Sequence, residues 1–165
     1  MRFRHGHFVA GSLAGILLMP ALSHAESGTA ELIGSFLTSY AKSEFGDTTY
    51  TAGGSSGTLT VSRSSGGPFL QGSSGVIECT VSAKKSPAGL DLEANCVSTF
   101  SPEDKLSWVS RRKSGDVAVG SPGEGITQII GGSGRFAGTT GRCTYKIDPL
   151  PGNRLVGISQ CQWQR

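Results

Sequence analysis

The chain has 165 residues, with 15 Lys and Arg against 12 Asp and Glu, a net charge of +3, and 36% hydrophobic residues. That length suits one domain with an ordinary core. A surplus of three charges is far from the basic stripe that nucleic-acid binding requires, so nucleic acid is excluded from the expected partners.

The first 25 residues read as a signal peptide. Arg2, Arg4, His5 and His7 form a basic start, Phe8 to Leu22 an apolar run of 15 residues, and Ser23-His24-Ala25 a small-residue cleavage site. The run is too short to span a bilayer and no later segment approaches that length, so no membrane insertion is expected. The remaining residues, 26–165, are expected as a single domain in the periplasm or medium. His5, His7 and His24 are the only histidines, and all leave with the leader. Histidine-dependent nucleophilic triads and histidine-ligated metals are thereby excluded, and neither metal nor cofactor is expected. Arg2 and Arg4 leave as well, so 13 basic side chains face 12 acidic ones and the net charge falls to +1.

Ala30 to Lys42 is expected as a short N-terminal helix. Leu32, Ile33, Phe36, Leu37, Tyr40 and Ala41 recur at a helical period, Thr29 can cap the start and Gly46 follows the end. Gly34 and the Ser/Thr content leave a strand as the alternative. From Thr48 the period becomes two. Leu59 and Val61 alternate with polar residues, as do Ile77, Cys79 and Val81, and then Leu90, Leu92, Ala94 and Cys96. Leu106 with Trp108, Ile126 to Ile130, Arg142 to Ile147 and Arg154 to Trp163 add further strands. Gly, Ser and Pro clusters separate them at close intervals, the pattern of an all-β, mainly antiparallel protein. About eight such strands close a small barrel.

Four cysteines in an exported chain favour two disulfides. Cys79 and Cys96 lie symmetrically about the turn signal Lys85-Ser86-Pro87-Ala88-Gly89, and Cys143 and Cys161 about Pro149-Leu150-Pro151-Gly152-Asn153. Each pair is expected to face across a hairpin, giving Cys79–Cys96 and Cys143–Cys161. No C-x-x-C spacing suggests a redox or zinc site.

Other motifs have bland readings. Gly132-Ser133-Gly134-Arg135-Phe136-Ala137 fits the spacing of a dinucleotide fingerprint, but Gly138-Thr139-Thr140-Gly141 would break the helix that the fingerprint needs, so a hairpin is expected. Ser101-Pro102-Glu103-Asp104 offers two carboxylates, too few for calcium, and reads as a solvated turn. Arg111-Arg112-Lys113 reads as an exposed strand end, and Glu78 and Glu93 as outward-facing.

The segment Gly131-Gly132-Ser133-Gly134-Arg135-Phe136-Ala137-Gly138-Thr139-Thr140-Gly141, running on to Tyr145, resembles the GGTGxFAGxTGxGxY hairpin of a family of uncharacterised exported bacterial proteins. It is also similar to the strand-turn of dirigent proteins and allene oxide cyclases. The resemblance spans about Ser98 to Trp163 and includes Asp104-Lys105-Leu106-Ser107-Trp108 and Cys161-Gln162-Trp163. It implies an eight-stranded antiparallel barrel that can enclose a ligand cavity. Arg142-Cys143-Thr144 departs from the dirigent pattern, and no catalytic residue carries over.

Phe100, Trp108, Phe136 and Tyr145 are the candidate ligand-lining residues, with core filling as the plainer role. The leading expectation is non-enzymatic binding of a small apolar molecule in a cavity of a few hundred Å³. An interaction protein or inhibitor with an envelope-protein partner is the alternative, and a cofactor-free isomerase or cyclase the third reading.

Overall fold

The computed structural model describes residues 25–112, 114 and 122–165. The expected signal peptide up to residue 24 lies outside the described residues, as do Lys113 and 115–121. Alternation of apolar and polar side chains governs what remains. It produces eight strands: β1 (Ser27–Phe45), β2 (Thr48–Ser64), β3 (Ser74–Ser86), β4 (Gly89–Thr99), β5 (Lys105–Arg112), β6 (Gly123–Gly132), β7 (Thr140–Leu150) and β8 (Arg154–Gln164). Each pairs antiparallel with its sequence neighbour, and β8 returns to β1, closing the barrel. Bulges between Glu31 and Leu32 and between Ser107 and Trp108 adjust the register.

The expected N-terminal helix is instead β1. Leu32, Phe36 and Tyr40 fit a helical period, yet with Gly34 and Thr38 between them they form one inward row of a strand. Ile33 and Leu37 lie on the outer face, 47% and 59% exposed. Apolar residues on both faces imitated a helical stripe. The outcome is decided by backbone pairing, since β1 has a hydrogen-bonded neighbour on each side in β2 and β8, whereas a helix here would bear the roughly 1 kcal/mol penalty of Gly34.

Both expected disulfides are present. Cys79–Cys96 joins directly opposed residues of β3 and β4, and Cys143–Cys161 does the same for β7 and β8, with Cα separations of 4.0 and 3.9 Å. No helix among the described residues is long and apolar enough to cross a membrane.

One end of the barrel is filled with aromatic side chains. Phe69 from the β2–β3 loop and Phe136 are fully buried edge-to-face, with ring centroids 5.4 Å apart. Trp163 lies 6.1 Å from Phe69, and Phe100 lies 5.1 Å from Phe136. Phe136 sits in the single 3-10 turn, Gly134–Phe136, that links β6 to β7. The glycine motif thus forms the expected hairpin, with its tip folded inward. Gly134 has φ 58°, and a Cβ there would overlap the Asp104 carboxylate. Asp104 accepts the Arg135 backbone N–H at 2.9 Å, a bond that holds its carboxyl below the usual value. The acidic loop is therefore a structural clasp rather than a merely solvated turn. Above it, the Arg135 guanidinium stacks 4.9 Å from both the Phe100 and Phe136 ring centres.

Two stability outcomes follow from this construction. Replacing either cysteine pair by alanine should lower unfolding free energy by roughly 3 kcal/mol, given loops spanning 17 and 18 residues. Urea denaturation with unchanged far-UV dichroism checks this; a drop under about 1 kcal/mol would contradict it. Phe136→Ala should destabilise by about 3–5 kcal/mol in the same assay.

Candidate functional site

The other half of the barrel interior is not filled. A cavity of about 140 Å³ lies between Leu32, Leu59, Ile77, Val81, Leu92 and Trp108, and continues toward Tyr40, Arg112 and Tyr145. Its wall is apolar because the inward row of each strand is apolar at these levels. The Cys79–Cys96 bridge forms part of that wall. Trp108 presents its ring alone, because its indole N–H donates to Ser98 Oγ at 2.9 Å in the core.

The cavity becomes polar toward the end opposite the aromatic plug. Ser110 and Thr127, cross-strand partners on β5 and β6, share a hydrogen bond of 2.6 Å between their hydroxyls. One step further, Arg112 is only 2% exposed. This corrects the reading of the basic run as an exposed strand end. Alternation along β5 divides the run: Arg111 points outward and pairs with Glu93 at 2.9 Å, while Arg112 turns into the barrel. Glu78 and Glu93 keep to the outer face, as expected.

β6 makes room for these large inward groups. Its inward row begins Gly123, Gly125, Thr127. A Cβ on Gly123 would overlap the Arg112 guanidinium, and one on Gly125 would lie 2.5 Å from the Tyr145 ring and hydroxyl. The guanidinium and the phenol thus rest on adjacent inward positions of one strand, about 7 Å apart along its axis. Tyr40 reaches the same space from β1. Burial pushes the phenols of Tyr40 and Tyr145 above their ordinary 10.0, and the Arg112 charge pulls both part of the way back. Both phenols are therefore protonated hydrogen-bond donors at neutral pH, within electrostatic reach of one cation.

Of the four residues expected to line a ligand, Trp108 and Tyr145 border the cavity, whereas Phe100 and Phe136 belong to the aromatic plug at the other end. Tyr40 and Arg112 escaped the sequence reading. Tyr40 was assigned to a helical face and Arg112 to the surface. The usable signal was Gly123-Glu124-Gly125 heading an alternating strand, which marks large groups approaching its inner face. Among the described residues no group of three or more His, Cys, Asp or Glu is placed to hold a metal ion.

These features define a closed eight-stranded antiparallel barrel with one plugged end and a small cavity that grades from apolar to cationic. Comparison with protein-family models, curated proteins and solved structures finds no match to the chain.

The phenols supply a direct check on this geometry. An alkaline absorbance titration of the three tyrosines should show Tyr40 and Tyr145 ionising above 10.0, and both still higher in Arg112→Met. Because the folded state holds these protons more tightly, the stability they contribute is complete below pH 10 and lost as pH rises through the folded values. A single transition near pH 10 that Arg112→Met leaves unmoved would contradict the enclosure.

Proposed function

We propose that the chain is an exported, non-enzymatic binding protein that takes up a small, largely apolar molecule inside the barrel. The observation that carries this is the cavity of about 140 Å³ with an apolar wall. It is smaller than the few hundred Å³ expected from the sequence. A dry cavity of about 150 Å³ accepts a molecule the size of benzene, so the ligand is compact rather than drug-sized. Two cross-strand disulfides fit an oxidising compartment, and support the export inferred from the first 25 residues. The resemblance of the glycine-rich hairpin to dirigent and allene oxide cyclase barrels belongs to this reading and adds no residue role to it.

The isomerase reading asked for a buried carboxylate or a perturbed tyrosine at the cavity. Tyr40 and Tyr145 meet the second condition, but burial holds them protonated, which suits hydrogen-bond donation rather than proton abstraction. The interaction reading has one observation in its favour. Ile33, Leu37, Val156 and Ile158 are exposed on neighbouring strands, with Ile33 directly opposite Ile158.

Thermal unfolding in the presence of toluene separates these readings. Saturating toluene should raise the melting temperature of the native protein by a few degrees and leave Ala94→Phe, whose new ring occupies the cavity, unmoved. A native protein that shows no shift with toluene, indole or cyclohexane would overturn the proposal.

A further inference from the structure

Resting on that reading of the cavity, we infer that the molecule bound there is a compact organic acid, an apolar body the size of a benzene ring bearing one carboxylate that docks on Arg112 between Tyr40 and Tyr145. Four observations converge on this. Arg112 is buried at the cavity, and a guanidinium stays charged at every accessible pH, with N–H donors in a planar fork that matches a carboxylate. Tyr40 and Tyr145 lie close enough for its charge to act on both phenols, each of which donates through a hydroxyl hydrogen. The backbone is shaped to this arrangement, because Gly123 and Gly125 leave the space that Arg112 and Tyr145 fill. Finally, the rest of the wall is apolar and encloses about 140 Å³, which limits the body of the ligand.

The polarity of the site selects the sign of the head group. A cation or a neutral amide would present hydrogens to a wall whose polar end is made of donors. A carboxylate presents oxygens only, and charge-assisted, bidentate bonds to arginine are the strong ones. Compact size separates this ligand from a long-chain fatty acid. A phosphate or sulfate ester is disfavoured by the narrow apolar surround, which matches a head with one charge.

Isothermal titration of the full folded protein at neutral pH with four probes tests the inference: benzoate, benzyl alcohol, toluene and decanoate. Benzoate should bind at least about tenfold more tightly than benzyl alcohol, the increment of a charge-assisted bond over a neutral one. It should also bind more tightly than decanoate. Arg112→Met should erase the preference for benzoate while leaving toluene binding within about threefold, and Tyr145→Phe should reduce the preference severalfold. Arg112→Lys, which keeps the charge in the barrel, should retain part of the preference if the methionine variant fails to fold. Equal affinity for benzoate and benzyl alcohol in the native protein would overturn the carboxylate assignment and leave the cavity reading standing. Tighter binding of decanoate would overturn the size limit. If none of the four probes binds, the cavity reading itself falls, and this inference with it.

Discussion

Everything in this barrel depends on the pairing of its first strand with its last. Residues Ser27 to Leu37 lie against Arg154 to Gln164 in unbroken antiparallel register, and the backbones of Glu26 and Arg165 exchange hydrogen bonds just beyond it, at 3.0 and 2.8 Å. Without that seam the sheet would present two long unpaired edges, each a row of exposed donors and acceptors open to aggregation. With it, every strand has two neighbours, and the inward rows of all eight face a common axis. Closure also explains why a segment with a helix-like apolar pattern is extended. A helix at 30–42 would leave β2 and β8 each without a partner on one side. The loss would be a ladder of hydrogen bonds, against which a local preference of about 1 kcal/mol counts for little.

Closure over-determines the interior, and the two halves use it differently. At the plugged end Phe69, Phe100, Phe136 and Trp163 arrive from separate loops and strands, so filling that end ties together chain segments remote in sequence. The Asp104 clasp on the 3-10 turn fixes where Phe136 enters. Toward the other end the inward rows are interrupted by small residues, including Gly34, Ser55, Gly123 and Gly125, and space remains. The disulfides follow the same division, Cys143–Cys161 being fully buried and Cys79–Cys96 forming cavity wall. A rigid, stapled frame is what allows a void to persist where a softer fold would collapse into it.

Much of this was legible in the sequence, and the parts that were not share a cause. The strands from Thr48 onward, both disulfides and the hairpin at Ile129 to Tyr145 followed from period-two alternation, turn chemistry and symmetric spacing, all local properties. β1 was misread because its outer face carries Ile33 and Leu37 and its inner face carries Gly34, which blurs a period of two into a period of 3.6. Arg112 was misread because charge in a basic run suggests solvent. Its true direction follows from counting alternation on from Trp108 through Ser110. The aromatic grouping of Phe100 and Phe136 with Trp108 and Tyr145 failed for a different reason. Alternation tells which side chains point inward but not at what height along the axis. Height depends on the stagger of strands around a closed barrel, a property of the whole sheet.

That same stagger gives the site its chemistry. Arg112, Tyr145 and Tyr40 are separated by more than 30 residues from one another in the chain, and they meet only because β1, β5 and β7 are tilted and staggered around one axis. A buried guanidinium is expensive to desolvate, and a barrel built for stability alone would do as well with an apolar residue of similar volume. Here the neighbouring strand instead gives up two side chains, at Gly123 and Gly125, and so accepts the weaker packing of glycine within a strand. An arrangement that sacrifices packing on one strand to seat a cation brought in by another is hard to account for by folding. It is readily accounted for by recognition, in which the buried charge is retained for the partner it meets inside the barrel.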